Sequence, residues 1–171
     1  MKNVTYRYGN ADIPNPECIP KSGWGEANLS LTRSQPRIVY LPGVWDLLHV
    51  GHLNVIRRAS LFGEYLIVGV CSDEAVKKTK GRYPAVNQQD RATLLSGIKY
   101  IEEVYVYDNV DQTEQLEMLS PSVFAIGEDF GKQGMPQHQK AMDYCLHNEI
   151  LIKRIPRLRG ISTSKIKSTI K

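Results

Sequence analysis

Short apolar runs alternate with segments of helical periodicity from residue 37 onward, and this alternation constrains the fold more than any other feature of the sequence. Continuous apolar runs bounded by Gly, Pro or polar residues predict buried strands at residues 38–41, 65–70, 104–107, 123–126 and 150–155. Apolar residues three and four apart predict helices over residues 50–62, 88–97, 111–119, 137–147 and 162–170. Strands that alternate with helices predict an α/β fold, a Rossmann-like parallel sheet with helices on both faces.

The first part of the chain lacks this alternation. Residues 1–36 contain several prolines and show neither a helical nor a strand period. We therefore predict an N-terminal extension over residues 1–36 and a single domain over residues 37–171, since 171 residues suit one domain. The aromatic residues Tyr6, Tyr8 and Trp24 favour packing of the extension onto the domain or onto a neighbouring molecule.

Composition excludes several classes of protein. A net charge of +4 is too mild to indicate nucleic-acid binding. Cys18, Cys71 and Cys145 are far apart, which argues against a disulfide framework or structural zinc site and for a reducing compartment. The first residues are polar, and the longest apolar run, residues 65–71, is too short to span a bilayer. We expect a cytoplasmic protein without stable membrane insertion.

Positive charge is concentrated at the end of the chain. No acidic residue follows Glu149, whereas seven basic residues do: Lys153, Arg154, Arg157, Arg159, Lys165, Lys167 and Lys171. Such a segment is typical of a solvated basic tail or of a site for an anionic ligand.

The segment after the first predicted strand combines two histidines with a glycine. His49 and His52 are three residues apart, so the first turn of a helix places them on one face. Free backbone amides and the positive end of the dipole attract anions there, and Gly51 permits close approach. The pair indicates a phosphate site, although two surface histidines or half of a zinc site would give the same spacing.

Three further segments carry polar groups near predicted strands. Residues 77–81 cluster lysines in a predicted loop, a pattern usually seen on solvated surfaces. Gly127, Glu128 and Asp129 follow the fourth strand and suit a ribose, a metal, an ammonium group or an ordinary turn. The terminal segment 157–165 holds three consecutive hydroxyls after a glycine, which exceeds the needs of a helix cap and resembles a phosphate cradle.

Together these segments resemble the phosphoalcohol cytidylyltransferases, in particular the glycerol-3-phosphate enzymes, of the H-x-G-H nucleotidyltransferase superfamily. The resemblance covers residues 37–171 and rests on H-x-G-H, on the K-x-K-G segment and on R-x-x-G-I-S-T-S-K. It implies transfer of CMP from CTP, with Mg²⁺, to a small phosphoalcohol such as glycerol 3-phosphate, and release of pyrophosphate. It also implies a homodimer.

The resemblance also implies roles for individual residues. The residues that it places at the reacting phosphates are His49, His52, Lys78, Lys80 and Arg157. Those that it assigns to nucleotide binding are Gly43, Val44, Trp45, Asp46, Gly51, Arg91, Gly127, Glu128, Asp129, Ile161, Ser162, Thr163 and Ser164. It assigns no residue to a resident metal.

The chain departs from this family at three places. Val44 and Trp45 stand where Thr-Phe is usual, Arg159 stands where an acid is frequent, and the stretch between Gly127 and Arg157 is longer. Two alternatives therefore stay open: an adenylyltransferase acting on a sugar phosphate or FMN, and a non-catalytic nucleotide-binding module.

Overall fold

The computed structural model describes residues 5–6, 36–128, 130 and 136–169, and these residues form a single sheet flanked by helices. The strands are β1 (Thr5–Tyr6), β2 (Ile38–Gly43), β3 (Tyr65–Cys71), β4 (Glu103–Tyr107), β5 (Val123–Gly127) and β6 (Leu151–Ile155). The helices are α1 (Val50–Ala59), α2 (Asp73–Lys80), α3 (Gln88–Ser96), α4 (Thr113–Leu119), α5 (Pro136–His147) and α6 (Thr163–Thr169). A 3₁₀ turn, Ser60–Phe62, extends α1.

The strand order in the sheet is β1-β4-β3-β2-β5-β6. The neighbouring pairs β4-β3, β3-β2, β2-β5 and β5-β6 are all parallel. This confirms the predicted Rossmann-like α/β fold. The chain leaves β2 toward β3 on one side and returns to β5 on the other side, so the strand order reverses between β2 and β5. Ligands of such sheets bind at the carboxyl ends of the strands beside this reversal.

Alternating strand residues build two cores, one on each face of the sheet. Val39 and Leu41 point to the face covered by α1 and α3, whereas Tyr40 between them points to the opposite face. That second face is covered by α2, α4 and α5. Because both faces are buried, β3 is a continuous apolar run, as its sequence predicts.

The lysine cluster at residues 77–81 is not a loop, and that prediction is wrong. It lies in α2, which begins after Ser72, whose hydroxyl accepts a hydrogen bond from the amide of Ala75 at 3.3 Å. Asp73 and Glu74 add acidic charge to the first turn, and Gly81 ends the helix with φ 69°. Acids at the start and lysines at the end both complement the helix dipole.

The structure describes only part of the N-terminal extension and two of the three cysteines. Within residues 1–36, where no strand period was visible, Thr5–Tyr6 pair antiparallel with β4 at the sheet edge, and residues 7–35 lie outside the described part. Cys71 and Cys145 are free and buried, and Cys18 lies outside the described part. Among the described helices, none is long and apolar enough to cross a membrane.

Candidate nucleotide site

A cavity of about 320 Å³ opens at the carboxyl ends of β2 and β5, beside the reversal of strand order. Four segments line it: the end of β2 with the start of α1, the end of α2 with residues 82–84, the end of β5, and residues 157–167. It is where the topology places a ligand site, and it collects most of the residues that the sequence singled out.

The turn between β2 and α1 supplies the first wall. Its predicted site residues all line the cavity: Gly43, Val44, Trp45, Asp46, His49, Gly51 and His52. His49 caps α1, and its Nδ1 accepts a hydrogen bond from the amide of Gly51 at 3.0 Å. A Cβ on residue 51 would lie 2.8 Å from the His49 ring, so only glycine fits beneath it.

The two histidine rings stack, with centroids 3.9 Å apart and planes at 22°. Since Nδ1 of His49 accepts a hydrogen bond, its proton is on Nε2, which is then a donor. Burial lowers the pKa of His49, and burial, followed by the charge of His49, lowers the pKa of His52 to about 4. Both imidazoles are therefore neutral at pH 7, and they can donate to phosphate oxygens without carrying charge.

Trp45 packs against His52. Its backbone has φ 58°, and its indole N–H donates to the carbonyl of Gly69 in β3 at 2.8 Å. The ring meets His52 edge to face at 5.5 Å. A Cβ on residue 43 would lie 2.6 Å from the indole, so Gly43 makes room for this ring.

Asp46 joins three of the lining segments. Its Oδ1 accepts from the amides of Ala85 and Val86 at 2.9 and 3.1 Å, and its Oδ2 accepts from Lys167 Nζ at 2.6 Å. Its own carbonyl accepts from Thr163 Oγ1 at 2.9 Å. Burial raises the pKa of Asp46, but the bonds from Lys167 and the two amides outweigh it and lower the pKa from 3.8. The carboxylate is thus ionised and fully engaged.

The end of α2 contributes one of its lysines to the cavity. Lys80 lines it beside Arg82, and desolvation of the ammonium lowers the pKa of Lys80. Lys78 is exposed and does not line the cavity, so the structure does not bring it to the site as predicted. Arg82 directly follows Gly81, and no motif of the sequence pointed to it as a site residue.

Arg91 does not reach the cavity either, because it is buried in the protein with 1% of its surface exposed. Its guanidinium pairs with Asp73 at 2.6 Å and donates to the carbonyls of Val86 and Val44. Arg91 therefore holds the first wall and the α2–α3 segment together. The structure thus gives Arg91 a structural role and does not bring it to the cavity, where a nucleotide ligand was predicted.

The terminal segment forms another wall of the cavity. Its predicted residues Arg157, Ile161, Ser162, Thr163 and Ser164 all line the cavity. Ser162 also caps α6, since its hydroxyl accepts from the amide of Lys165 at 3.2 Å. Ser162 is therefore both the cap of α6 and part of the cavity wall. Lys167 was not among the predicted site residues, and it lines the cavity four residues after Thr163.

The end of β5 contributes its glycine to the described lining of the cavity. Gly127 lines the cavity, but Glu128 does not, and Asp129 lies outside the described residues. Asp46 is the single acid among the described residues that line the cavity, against the cations Lys80, Arg82, Arg157 and Lys167. With neutral histidines the lining is strongly cationic, which suits polyphosphate.

The described residues do not fit a resident metal. They contain no group of three or more His, Cys, Asp or Glu side chains placed to hold one ion. The carboxylate of Asp46 already accepts from Lys167 and from two amides. Magnesium in proteins is often held by one or two carboxylates together with substrate phosphates, so any Mg²⁺ would depend on the nucleotide for most of its ligands.

Three comparisons place the chain among known proteins. A family model described as cytidylyltransferase-like matches residues 40–169. The chain is 35% identical over 134 residues to the FAD synthase of Pyrococcus abyssi. This match covers 78% of this chain and 89% of that protein. It is 33% identical over 135 residues to the bifunctional protein HldE of Koribacter versatilis, but spans only 27% of that protein.

A solved structure agrees with the fold. The lipopolysaccharide core biosynthesis protein of Thermoplasma volcanium superposes with a TM-score of 0.61 at 23% identity. The match covers 72% of this chain and 99% of that one.

Proposed function

The chain belongs to the cytidylyltransferase-like family, and from that premise we propose that it transfers AMP from ATP to the phosphate of a small acceptor and releases pyrophosphate. The observation that carries this proposal is the convergence of His49, His52, Lys80, Arg157 and Lys167 on one cationic cavity. Such a lining suits two phosphorylated substrates whose negative charges must be brought together.

The chemistry needs positioning rather than a covalent nucleophile. An oxygen of the acceptor phosphate attacks the α-phosphorus of the triphosphate, and the bond from that phosphorus to pyrophosphate breaks. Charge builds up on the equatorial oxygens, where fixed donors are most effective. In the proposed mechanism the neutral His49 donates through Nε2, while Lys80 and Arg157 neutralise the approaching and departing phosphates.

Preorganisation supports this mechanism. The carboxylate of Asp46 accepts hydrogen bonds from the amides of Ala85 and Val86, and its carbonyl accepts one from Thr163. The guanidinium of Arg91 donates to the carbonyls of Val86 and Val44. These five bonds hold the segments around the cavity together. Donors held in this way lose little freedom when the substrates bind. Any Mg²⁺ that takes part would be held mainly by the phosphates of the nucleotide, because the described residues contain no group of three metal-ligating side chains.

The choice of ATP differs from the first expectation. The motifs favoured CTP and a phosphoalcohol, whereas the relatives favour the adenylyl alternative. FAD consists of FMN joined to AMP, and the relative named FAD synthase is matched along 89% of its length. The acceptor we propose is accordingly FMN or a sugar phosphate rather than glycerol 3-phosphate. A homodimer stays a prediction.

A substrate panel tests the proposal. The full chain is incubated with Mg²⁺, with ATP or CTP, and with FMN, glucose 1-phosphate or glycerol 3-phosphate, and pyrophosphate is measured. We expect release with ATP and a ring-bearing acceptor. A chain carrying His52→Ala is the matched control for a contaminating activity. Release with CTP and glycerol 3-phosphate alone would restore the first expectation, and no release with any pair would remove the enzymatic function.

A further inference from the structure

Tyr83 is the one tyrosine among the described residues that line the cavity, and its side chain is 48% exposed. Trp45 also lines the cavity, but it is 6% exposed and its N–H is bonded to Gly69. Tyr83 therefore offers the largest open aromatic surface in the site. No motif of the sequence pointed to it.

Two residues of α2 hold the Tyr83 ring in place. Its hydroxyl donates to Glu74 Oε1 at 2.9 Å. Lys77 places its ammonium 4.3 Å from the ring centroid and donates to the hydroxyl at 3.2 Å. Glu74 and Lys77 are three residues apart and lie on the same side of the helix. The ammonium thus lies near the hydroxyl end of the ring, and Tyr83 keeps 48% of its surface exposed.

Tyr83 and the terminal segment reach the cavity on different segments of the chain. Tyr83 follows Lys80 and Arg82 on the segment after β3, whereas the segment 157–167 follows β6 on the other side of β2. A triphosphate needs the most donors, and the His49 turn with the terminal hydroxyls supplies them. The wall formed by Arg82 and Tyr83 is then left for the second substrate.

We propose that Tyr83 is a specificity-determining residue that contacts the acceptor, its exposed side chain packing against a ring of that molecule. This inference rests on the proposed function. A sugar ring or the flavin ring system presents an apolar face to stack on tyrosine, while Arg82 attracts the phosphate of the same molecule. Open-chain glycerol 3-phosphate has no such face, so the ring also selects between acceptors.

The test compares KM for each substrate in Tyr83→Ala, Tyr83→Phe and the unchanged chain, with FMN and glucose 1-phosphate as acceptors. Tyr83→Ala should raise the KM of the acceptor roughly 10-fold, the scale of one lost aromatic stacking contact, and leave the KM of ATP within about 2-fold. Tyr83→Phe keeps the ring and should stay within about 3-fold of the unchanged chain, as expected for one exposed hydrogen bond.

Lys77→Ala and Lys99→Ala form a matched pair of controls. Each lysine lies over a tyrosine, but Lys99 lies over Tyr100, which is not part of the cavity. Only Lys77→Ala should raise the KM of the acceptor, because it frees the Tyr83 ring to move.

The outcomes distinguish the role of Tyr83 from the proposed function. An unchanged acceptor KM in an active Tyr83→Ala chain, or a rise confined to ATP, would overturn the role of Tyr83 while leaving the proposed function standing. Activity of the unchanged chain with glycerol 3-phosphate alone would overturn it as well. Failure of the unchanged chain to release pyrophosphate with any pair would overturn the proposed function, and this inference with it.

Discussion

Asp46→Asn isolates the contribution of the ion pair between Asp46 and Lys167 to the stability of the fold. Asparagine keeps an oxygen for the amides of Ala85 and Val86, but its NH₂ group replaces the oxygen that accepts from Lys167 at 2.6 Å. The side chain of Asp46 is 6% exposed and that of Lys167 is 23% exposed. A hydrogen bond to charged groups contributes about 1.5–3 kcal/mol, and Lys167 can still turn to water. We therefore expect a loss of about 2 kcal/mol in the free energy of unfolding.

Thermal and urea unfolding at pH 7 measure this loss, and the fall in Tm should be about 4–8 °C for a chain of this size. The matched control is Asp111→Asn. Asp111 resembles Asp46 because its Oδ1 accepts a hydrogen bond from a backbone amide, that of Thr113. Its Oδ2, however, lies 3.8 Å from the ammonium of the exposed Lys140, so the ion pair is much weaker. That substitution should cost less than about 1 kcal/mol.

The pH dependence and a double-mutant cycle check the cause. The folded pKa of Asp46 lies below 3.8. Its stabilising effect is therefore complete above about pH 4 and is lost as the pH falls through the folded pKa. The Asp46→Asn chain should differ from the unchanged chain at pH 7 and converge with it in acid. A cycle with Lys167→Met should give a coupling energy of at least about 1 kcal/mol. Additive effects, or a pH-independent difference, would refute the reasoning.

Three further predictions concern the site. His52→Ala should lower kcat by roughly 10²- to 10⁴-fold with the fold intact by circular dichroism, and near-normal kcat would contradict its role. The imidazole of His52 should titrate near pH 4 by NMR in the ligand-free protein, and a midpoint at its usual 6.5 would show that it is not desolvated. Lys80→Ala should reduce kcat/KM by at least about 10-fold, whereas Lys78→Ala should change it less than about 2-fold; a reversed order would show that Lys78 reaches the substrates.

The sheet and most helices could be predicted because the local signals agree with the tertiary structure. The run at residues 65–70 is apolar throughout since helices cover both faces of β3. Helix α2 was not predicted because clustered lysines are typical of solvated loops. Its signals were nevertheless present: Ser72 before two acids, and Gly81 after the last lysine.

The site was harder to predict because pairing over long sequence distances decides which polar residues face the cavity. Arg91 is buried, contrary to the usual behaviour of arginine, because Asp73, 18 residues earlier, supplies its counter-charge. The bond between Lys167 and Asp46 spans 121 residues. The spacing of Thr163 and Lys167, four residues apart on one helix face, was the local signal that could have indicated Lys167.

Identification of the product formed from an equal mixture of ATP and CTP tests the central claim most directly. The chain is incubated with both nucleotides, Mg²⁺ and the preferred acceptor, and the products are analysed by mass spectrometry. The account predicts the acceptor joined to AMP through a new phosphate–phosphate bond, together with pyrophosphate. An acceptor joined mainly to CMP, or one that gains a single phosphate as ADP forms, would contradict it.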